Sequence, residues 1–381
     1  MGLTDREREI IDLLRTEPLI SPADIAERLG STRAAVNVHL SNLGRKGVIL
    51  GRGYILSAQP PVVVVGGANI DIKARSSASA IPQTSNPGHT STTPGGVARN
   101  IAENLARLGT TTHLIVALGR DQYGERLLTE TRNAGVLLDH VHRSTHPTGS
   151  YTAVLDTDGE MLLAVADMSA TDDLRPEHLR PARELILHAA LLILDGNLPA
   201  PTTEHLLDLA QAADVRVVLD PVSVPKATRL LPLLRPDRPI FAITPNRDEL
   251  QALTGQDTTK DDALPTAAAK LHEQGVQHVW IRLGAQGSLL STQPADPHPP
   301  HGPHLQHLHQ LTAHPTEVQD VTGAGDAMLA AFAHALLAGH SPAIAASYGH
   351  AAAALTVQSP HTVRPDLTER LLNEAFERNQ Q

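Results

Sequence analysis

The heptapeptide Asp320-Val321-Thr322-Gly323-Ala324-Gly325-Asp326 brings together residue types that can do chemistry. It opens an alanine-rich apolar run, Ala327-Met328-Leu329-Ala330-Ala331-Phe332, that reads as a helix. Gly323 and Gly325 let a ligand approach the backbone without side-chain hindrance. The free N–H groups of a first helical turn, with the helix dipole behind them, make an anion site suited to phosphate. Asp326 would repel a phosphate there unless it has a task. The task that fits is general base for a hydroxyl attacking that phosphate, with the N–H groups of Gly323, Ala324 and Gly325 facing the transferring group. The alternative is an Asp that only caps a helix, a position it favours.

Such a turn needs a layered fold to hold it. Val62-Val63-Val64-Val65 is a short β-branched run ending in Gly66-Gly67. Comparable runs recur at residues 114–116, 191–194, 215–219, 240–243 and 279–281, and helical patterns such as Val97, Ile101, Leu105 and Leu108 separate most of them. This alternation predicts an α/β fold with a doubly wound, mainly parallel sheet. Ligands gather at the carboxyl ends of such strands. Polar residues do follow the runs: Asn69 and Asp71, Asp195 and Asn197, Asp220, and Asn246 and Glu249. Two stretches break the rhythm. Residues 72–94 are rich in Ser, Thr, Pro and Gly, and residues 148–166 read as strand, Asp-Gly turn and strand. Together they predict a small β lid.

Residues 1–57 read as a separate unit. Thr4 and Ser21 are N-cap candidates, Ser31 or Thr32 starts a third helix, and Val36, Leu40 and Leu43 share one face of it. A hairpin pattern follows at residues 47–56. Three short helices and a hairpin resemble a winged helix-turn-helix domain, with the third helix as reader. From Ser31 to Lys46 that segment carries Arg33, His39, Arg45 and Lys46 and no acid, the local bias DNA binding needs. The alternative is a helical module without a DNA role. Residues 58–61 are a stiff linker, the main domain is placed at 62–372, and 373–381 is a tail.

Composition narrows the classes. The chain has 381 residues, 41% apolar and 19% charged, as expected of a globular protein. Cysteine is absent, which excludes disulfides and thiolate metal sites. A net charge of −10 argues against general coating of nucleic acid. No apolar run reaches the roughly 20 residues of a membrane span, and the charged start does not read as a signal peptide, so a cytoplasmic location is expected. Six histidines lie among prolines and glycines at 293–316; a solvated loop is favoured there over a metal site.

The ordered segments resemble the ribokinase-like (PfkB-type) family of sugar and nucleoside kinases. Residues 320–326 look like its C-terminal signature, and Gly95-Gly96-Val97-Ala98-Arg99-Asn100 like its N-terminal one. Gly67-Ala68-Asn69-Ile70-Asp71 matches its first-strand turn, and Thr244-Pro245-Asn246-Arg247-Asp248-Glu249 its Asn-x-x-Glu segment. Within the family the chain is most similar to the pseudouridine kinase branch, through Ser85-Asn86-Pro87-Gly88, Thr93-Pro94-Gly95-Gly96-Val97, residues 100–106, Asp158-Gly159-Glu160-Met161 and Ala354-Leu355-Thr356-Val357. Some bacterial members of that branch are similar in carrying an N-terminal winged helix.

The resemblance implies transfer of the γ-phosphate of ATP to the 5′-hydroxyl of a nucleoside, foremost pseudouridine, with Asp326 as base. Asn69, Asp71, Asn100 and the Gly95-Gly96 backbone would hold the sugar, and Ser85, Asn86 and Asp167 would read the base. Asn246 and Glu249 would hold Mg²⁺ through water, unless they are only a capping box. Gly284, Gly287, Thr322 and His350 would line the ATP side, although His350 replaces a smaller or amide side chain of many relatives. Asp320 and Thr322 would bound a monovalent cation such as K⁺. A homodimer and an operator-DNA partner are further expectations. Two alternatives stay open: another acceptor such as ribose or adenosine, and a ligand-responsive transcription regulator that uses the kinase domain as a sensor.

Overall fold

The computed structural model describes residues 3–50, 60–293, 307–313 and 316–379. Residues 51–56 of the hairpin expected at 47–56, part of the 58–61 linker and much of the histidine-rich stretch lie outside those residues.

The N-terminal unit has helices α1 (Asp5–Thr16), α2 (Pro22–Arg28) and α3 (Arg33–Arg45). Thr4, Ser21 and Thr32 cap them through side-chain oxygens. Ile10, Leu14, Ile25, Val36 and Leu43 form its small aliphatic core.

The larger unit is built on an eight-stranded sheet: β1 (Val62–Val65), β4 (Thr112–Ile115), β9 (Leu191–Asp195), β10 (Val217–Asp220), β11 (Ile240–Ile243), β12 (Val276–Arg282), β13 (Ser288–Thr292) and β14 (His307–Leu311). Spatial order runs β14-β13-β12-β11-β10-β9-β1-β4. All neighbours from β4 to β12 are parallel, while β12-β13-β14 pair antiparallel. His307 and His309 therefore sit on an edge strand, a correction to the loop expected there.

Because side chains alternate across a strand, each strand feeds two cores. Val63, Leu192, Val217 and Ile281 pack under α7 (Arg183–Leu187), α8 (Ala200–Ala213), α9 (Val224–Leu230), α10 (Arg247–Thr254) and α11 (Leu264–Glu273). Val62, Ile193, Val218 and Trp280 pack under α4 (Val97–Arg107), α12 (Ala324–Leu337) and α13 (Pro342–Val357). Small residues on α12 and α13 let these helices approach closely; a methyl on Gly349 would lie 2.3 Å from the Trp280 ring. α14 (Glu369–Asn379) buries Leu372 and Ala375 against them, so the residues expected to form a tail complete the core instead.

A second sheet of four strands has the order β3-β2-β7-β8, from β2 (Asn69–Ser76), β3 (Gly88–Gly95), β7 (Gly149–Leu155) and β8 (Met161–Asp167). It is the small β lid expected from the broken rhythm, with its first strand beginning at Asn69. The pair β5 (Ala117–Leu118) and β6 (His142–Arg143), α5 (Gln122–Asn133) and the one-turn α6 (Ser169–Asp172) complete the unit.

Candidate active site

The carboxyl ends of neighbouring strands place a row of polar groups along one edge. Asp195 ends β9, Asp220 ends β10 in register with it, and Arg282 ends β12 beside Asn246. Above this row stand the N-termini of α4 and α12.

α12 begins at Ala324 after Gly323, whose φ is 82°. A Cβ at Gly323 would lie 2.0 Å from the Thr362 carbonyl oxygen, so only glycine makes this entry. No side chain caps the helix. The N–H groups of Gly325 and Asp326 lie in its first turn, where a helix has no internal acceptor for them. Asp326 is buried and its Oδ2 accepts a hydrogen bond from Asn100 Nδ2 at 2.8 Å. Burial is the main cause that pushes its carboxyl up to about 8; Asp220 and Asp195 add to the rise, while the Asn100 bond and Arg282 oppose it. A base with that value is poised near neutrality, where general-base catalysis works best.

Asn100 belongs to α4. Its Oδ1 accepts from Arg99 Nη1 at 3.1 Å, and Arg99 is itself held by Glu103 and the Pro94 carbonyl. Gly67 N–H and Ala98 N–H both donate to Asp195 Oδ2, at 2.9 and 3.0 Å. Asp195 also accepts from the backbone N–H and Nδ2 of Asn197, both at 2.9 Å. This buried carboxylate ties the β1 turn, β9 and the start of α4 into one rigid corner. Lys226 bonds the far side of Asn197.

Asp71 on β2 accepts from Asn69 Nδ2 at 2.7 Å and lies against Gly95, where a Cβ would be 2.2 Å from its Oδ2. Burial raises its pKa. Thr93 and Tyr151 are its direct cross-strand neighbours and were not singled out by sequence; pairing register is the information that finds them. Asn69, Asp71, Gly95, Gly96 and Asn100 thus converge at the base of the lid. Ser85 and Asn86 do not. They lie beyond the Ser76–Gly88 pair, and Ser76 is already five residue steps along the strand from Asp71, roughly 17 Å at strand rise. Asn86 there bonds the N–H and carbonyl of Ile81, stapling its own turn. Asp167 lies at the lid base, but its carboxylate accepts from the N–H and hydroxyl of Ser169, which holds its pKa down.

Asn246 and Glu249 form a complete capping box on α10: Asn246 Oδ1 accepts from Glu249 N–H at 2.9 Å, and Glu249 Oε2 accepts from Asn246 N–H at 2.8 Å. Asn246 Nδ2 donates to Glu249 Oε1 at 2.9 Å. Arg282 donates to Asp220 at 3.0 Å and lies 3.4 Å from Glu249. Four carboxylates, Asp195, Asp220, Glu249 and Asp326, thus share one electrostatic cluster with two cations, Arg282 and Lys226. Among the described residues no group of three His, Cys, Asp or Glu is placed to hold a metal ion directly, and the oxygens of Asp220 and Glu249 are already occupied, so a divalent cation here would be reached through water.

Gly284 and Gly287 flank a tight turn after β12 with φ of 59° and 96°. Gly284 has open space around it, and a Cβ at Gly287 would strike the Leu311 carbonyl. His350 is buried and its Nε2 is 2.7 Å from Ser288 Oγ, which also takes the Trp280 N–H. It is a packed core histidine, which corrects the expectation that it lines the ATP side. Thr322 N–H and hydroxyl both donate to Asp320, and the Lys73 ammonium lies 3.3 Å from its other oxygen. A lysine thus already neutralises the carboxylate expected to bound a monovalent cation.

Two of the expected DNA residues are corrected. Lys46 is buried and bonds both oxygens of Glu7, at 3.0 and 2.8 Å, so its charge is used inside the fold. His39 is half-buried with a buried Nδ1, on the flank of the face that carries Val36 and Leu43. Arg33 and Arg45 are exposed, and Asn37, Val38, Ser41, Asn42 and Arg45 line an open depression on α3. The 3.6-residue period places 33, 37, 41 and 45 on one stripe. Among the described residues no helix is long and apolar enough to cross a membrane.

Residues 59–369 match the pfkB family of carbohydrate kinases, and residues 3–49 match a winged helix-turn-helix DNA-binding family. The chain is similar to the uncharacterized sugar kinase YeiI of Escherichia coli, 36% identical over 96% of this chain and 97% of that one. It is also similar to the pseudouridine kinase of Escherichia coli, 33% identical over 81% of this chain and 93% of that one. A structure of Arabidopsis thaliana ribokinase complexed with ribose and ATP superposes with a TM-score of 0.72 at 28% identity, covering 84% of this chain and 99% of that chain. Members of the family are ATP-dependent phosphotransferases. With its ribokinase-like α/β unit preceded by winged helix-turn-helix helices, the chain belongs to the pfkB family of carbohydrate kinases, as a sugar or nucleoside kinase related to pseudouridine kinase.

Proposed function

We propose that the protein phosphorylates the 5′-hydroxyl of a nucleoside with ATP, and that the nucleoside is pseudouridine. The observation that carries the reaction type is Asp326: a buried carboxylate in an uncapped helical turn, bonded to Asn100 from the sugar side. Similarity to the E. coli pseudouridine kinase supports the choice of nucleoside.

In this reading Asp71 and Asn69 accept and donate to the ribose hydroxyls, and the Gly95-Gly96 backbone lets the ring approach. Asp326 takes the hydroxyl proton, the freed oxygen bonds to the γ-phosphorus, and the bond to the β–γ bridging oxygen breaks as ADP leaves. The N–H groups of Gly325 and Asp326 would face the phosphoryl oxygens as they take up charge, whereas the Ala324 N–H is already held by the Val321 carbonyl at 3.3 Å. Asp220, Asn246 and Glu249 would hold Mg²⁺ through water, and that ion supplies charge neutralisation on the phosphates. A panel of pseudouridine, uridine, ribose and adenosine with ATP and Mg²⁺, read as ADP release, tests the proposal. Pseudouridine should give the highest kcat/KM. A higher value for ribose or adenosine would overturn the nucleoside assignment.

A second role is favoured by α3. Its outward stripe of Arg33, Asn37, Ser41 and Arg45 carries no acid in a chain of net charge −10. We propose that this stripe reads an operator in the major groove and that binding is site-dependent and weakens with salt. Both roles belong in the cytoplasm. A gel shift with genomic fragments, with and without pseudouridine, should yield a specific fragment for the full chain and none for Asn37→Ala. We further propose a homodimer through the lid, because β8 is an edge strand exposing Met161, Leu162, Leu163 and Val165. Light scattering should report twice the chain mass.

A further inference from the structure

The site holds a cation that neither motif contains. We propose that Arg282 is a catalytic residue that donates to an oxygen of the transferring phosphoryl group. The inference deepens the kinase reading above and rests on it.

Arg282 is the last residue of β12, so the parallel sheet delivers its side chain to the same edge as Asp220 and Asn246. Its Nη1 donates to Asp220 Oδ2 at 3.0 Å and its Nη2 to Asp220 Oδ1 and Glu249 Oε2, both at 3.4 Å. A guanidinium has five N–H donors in a rigid fork. The three bonds engage the side of the fork that faces the sheet and leave donors over. Nη1 itself, with a second N–H beyond the one given to Asp220, also lies against the anion-binding turn: a Cβ at Gly325 would be only 2.5 Å from it. Gly325 has an ordinary helical backbone, with no positive φ to require glycine there. The guanidinium is the group that a side chain at Gly325 would have to displace.

A purely structural role, neutralising Asp220 and Glu249, explains the two ion pairs. It does not explain why the fork is pressed onto the turn next to Asp326. Nor does it explain the asymmetry of exposure: the Arg282 side chain keeps 17% of its surface, whereas Asp220 and Glu249 keep 2% each. The carboxylates are the buried mount, and the arginine they hold is the more exposed partner.

The nucleoside hydroxyl loses its proton to Asp326 and its oxygen bonds to the γ-phosphorus. The bond from that phosphorus to the bridging oxygen breaks, and ADP leaves with the electron pair. The three non-bridging oxygens carry negative charge throughout, and Arg282 donates to one of them from the α12 side. Fixed donors of this kind act where charge sits in the transition state and need no reorganisation. Asp220 and Glu249 hold the fork as positioning residues.

The test uses the full chain with ATP, Mg²⁺ and the best acceptor of the panel, comparing the wild type with Arg282→Lys and Arg282→Met. Arg282→Met should lower kcat by about 100-fold or more, as loss of a transition-state donor does, with the KM for the nucleoside changed less than about threefold. Arg282→Lys keeps the charge without the fork and should recover only part of the loss. A second readout needs no turnover: binding of ADP with aluminium fluoride, a mimic of the transferring group, against ADP alone. The wild type should gain affinity from the fluoride complex, and both variants should lose most of that gain while binding ADP as before. Equal losses of ADP and nucleoside binding, or an unchanged fluoride gain, would show a structural role and overturn the proposal. If Arg282→Met does not fold, Arg282→Lys decides by the same two readouts. A wild type inactive on every acceptor would instead sink the kinase reading.

Discussion

Two helices begin at the same sheet edge, and their first turns are opposites. α10 closes its own N-terminus: Asn246 and Glu249 satisfy each other's backbone N–H groups through side chains. α12 leaves its N-terminus open: Gly323 has no side chain to offer, and the only carboxylate in the turn, Asp326, is bonded to Asn100 on another helix. A closed turn stabilises its helix by roughly 1 kcal/mol. An open one forgoes that and retains donors for an anion. Polar atoms are already used at α10 and left open at α12, so the first turn serves stability and the second is free for the chemistry proposed above. In the proposed reading the same contrast would let Glu249 reach Mg²⁺ only through water, while Asp326 would touch the acceptor hydroxyl.

Changes at the open turn should be the most costly. Asp326→Asn removes the base and keeps the shape, so turnover should fall by about 10²–10⁴-fold, with ATP affinity by calorimetry nearly unchanged. Gly323→Ala attacks the geometry instead. Its left-handed backbone costs a non-glycine residue roughly 1–2 kcal/mol, and the new methyl meets the Thr362 carbonyl. Displacing the turn should lower turnover by about 10²-fold, with KM for ATP rising as well. The closed turn should respond differently. Asn246→Ala should lower stability in chemical denaturation by about 1 kcal/mol and raise the Mg²⁺ concentration needed for half-maximal rate. An Asn246→Ala effect on turnover as large as that of Asp326→Asn would erase the distinction between the two turns.

The same distinction governs what sequence could show. Gly323 to Asp326 and Asn246 to Glu249 are contiguous, so their chemistry is legible from neighbours. The strand-end row is legible too, because β-branched runs locate the strands and Asp195 and Asp220 follow them. The links between segments are not. Asn100 meets Asp326 across 226 residues, Gly67 meets Asp195 across 128, and Arg282 meets Asp220 across 62. Those pairings depend on strand order, which local patterns leave open. An arginine ending the buried run Val279-Trp280-Ile281 was the one available signal for Arg282. Motif order carries no information on hairpin length, so it cannot show how far Ser85 and Asn86 lie from Asp71. Counting charges ignores the face that Lys46 and His39 occupy. The helical period alone puts His39 on the side of Val36 and Leu43, though nothing local pairs Lys46 with Glu7.

The pH dependence of kcat/KM tests the central claim most directly, because it reports groups of the free enzyme. A base must be unprotonated to act, and burial holds the Asp326 carboxyl up to about 8. The wild type should therefore gain activity as pH rises from 6 to 9, about tenfold per unit at the acid end, with a midpoint near 8. The residual activity of Asp326→Asn should lack that limb. A wild-type profile flat across the interval, or the same rising limb in Asp326→Asn, would contradict Asp326 as the base.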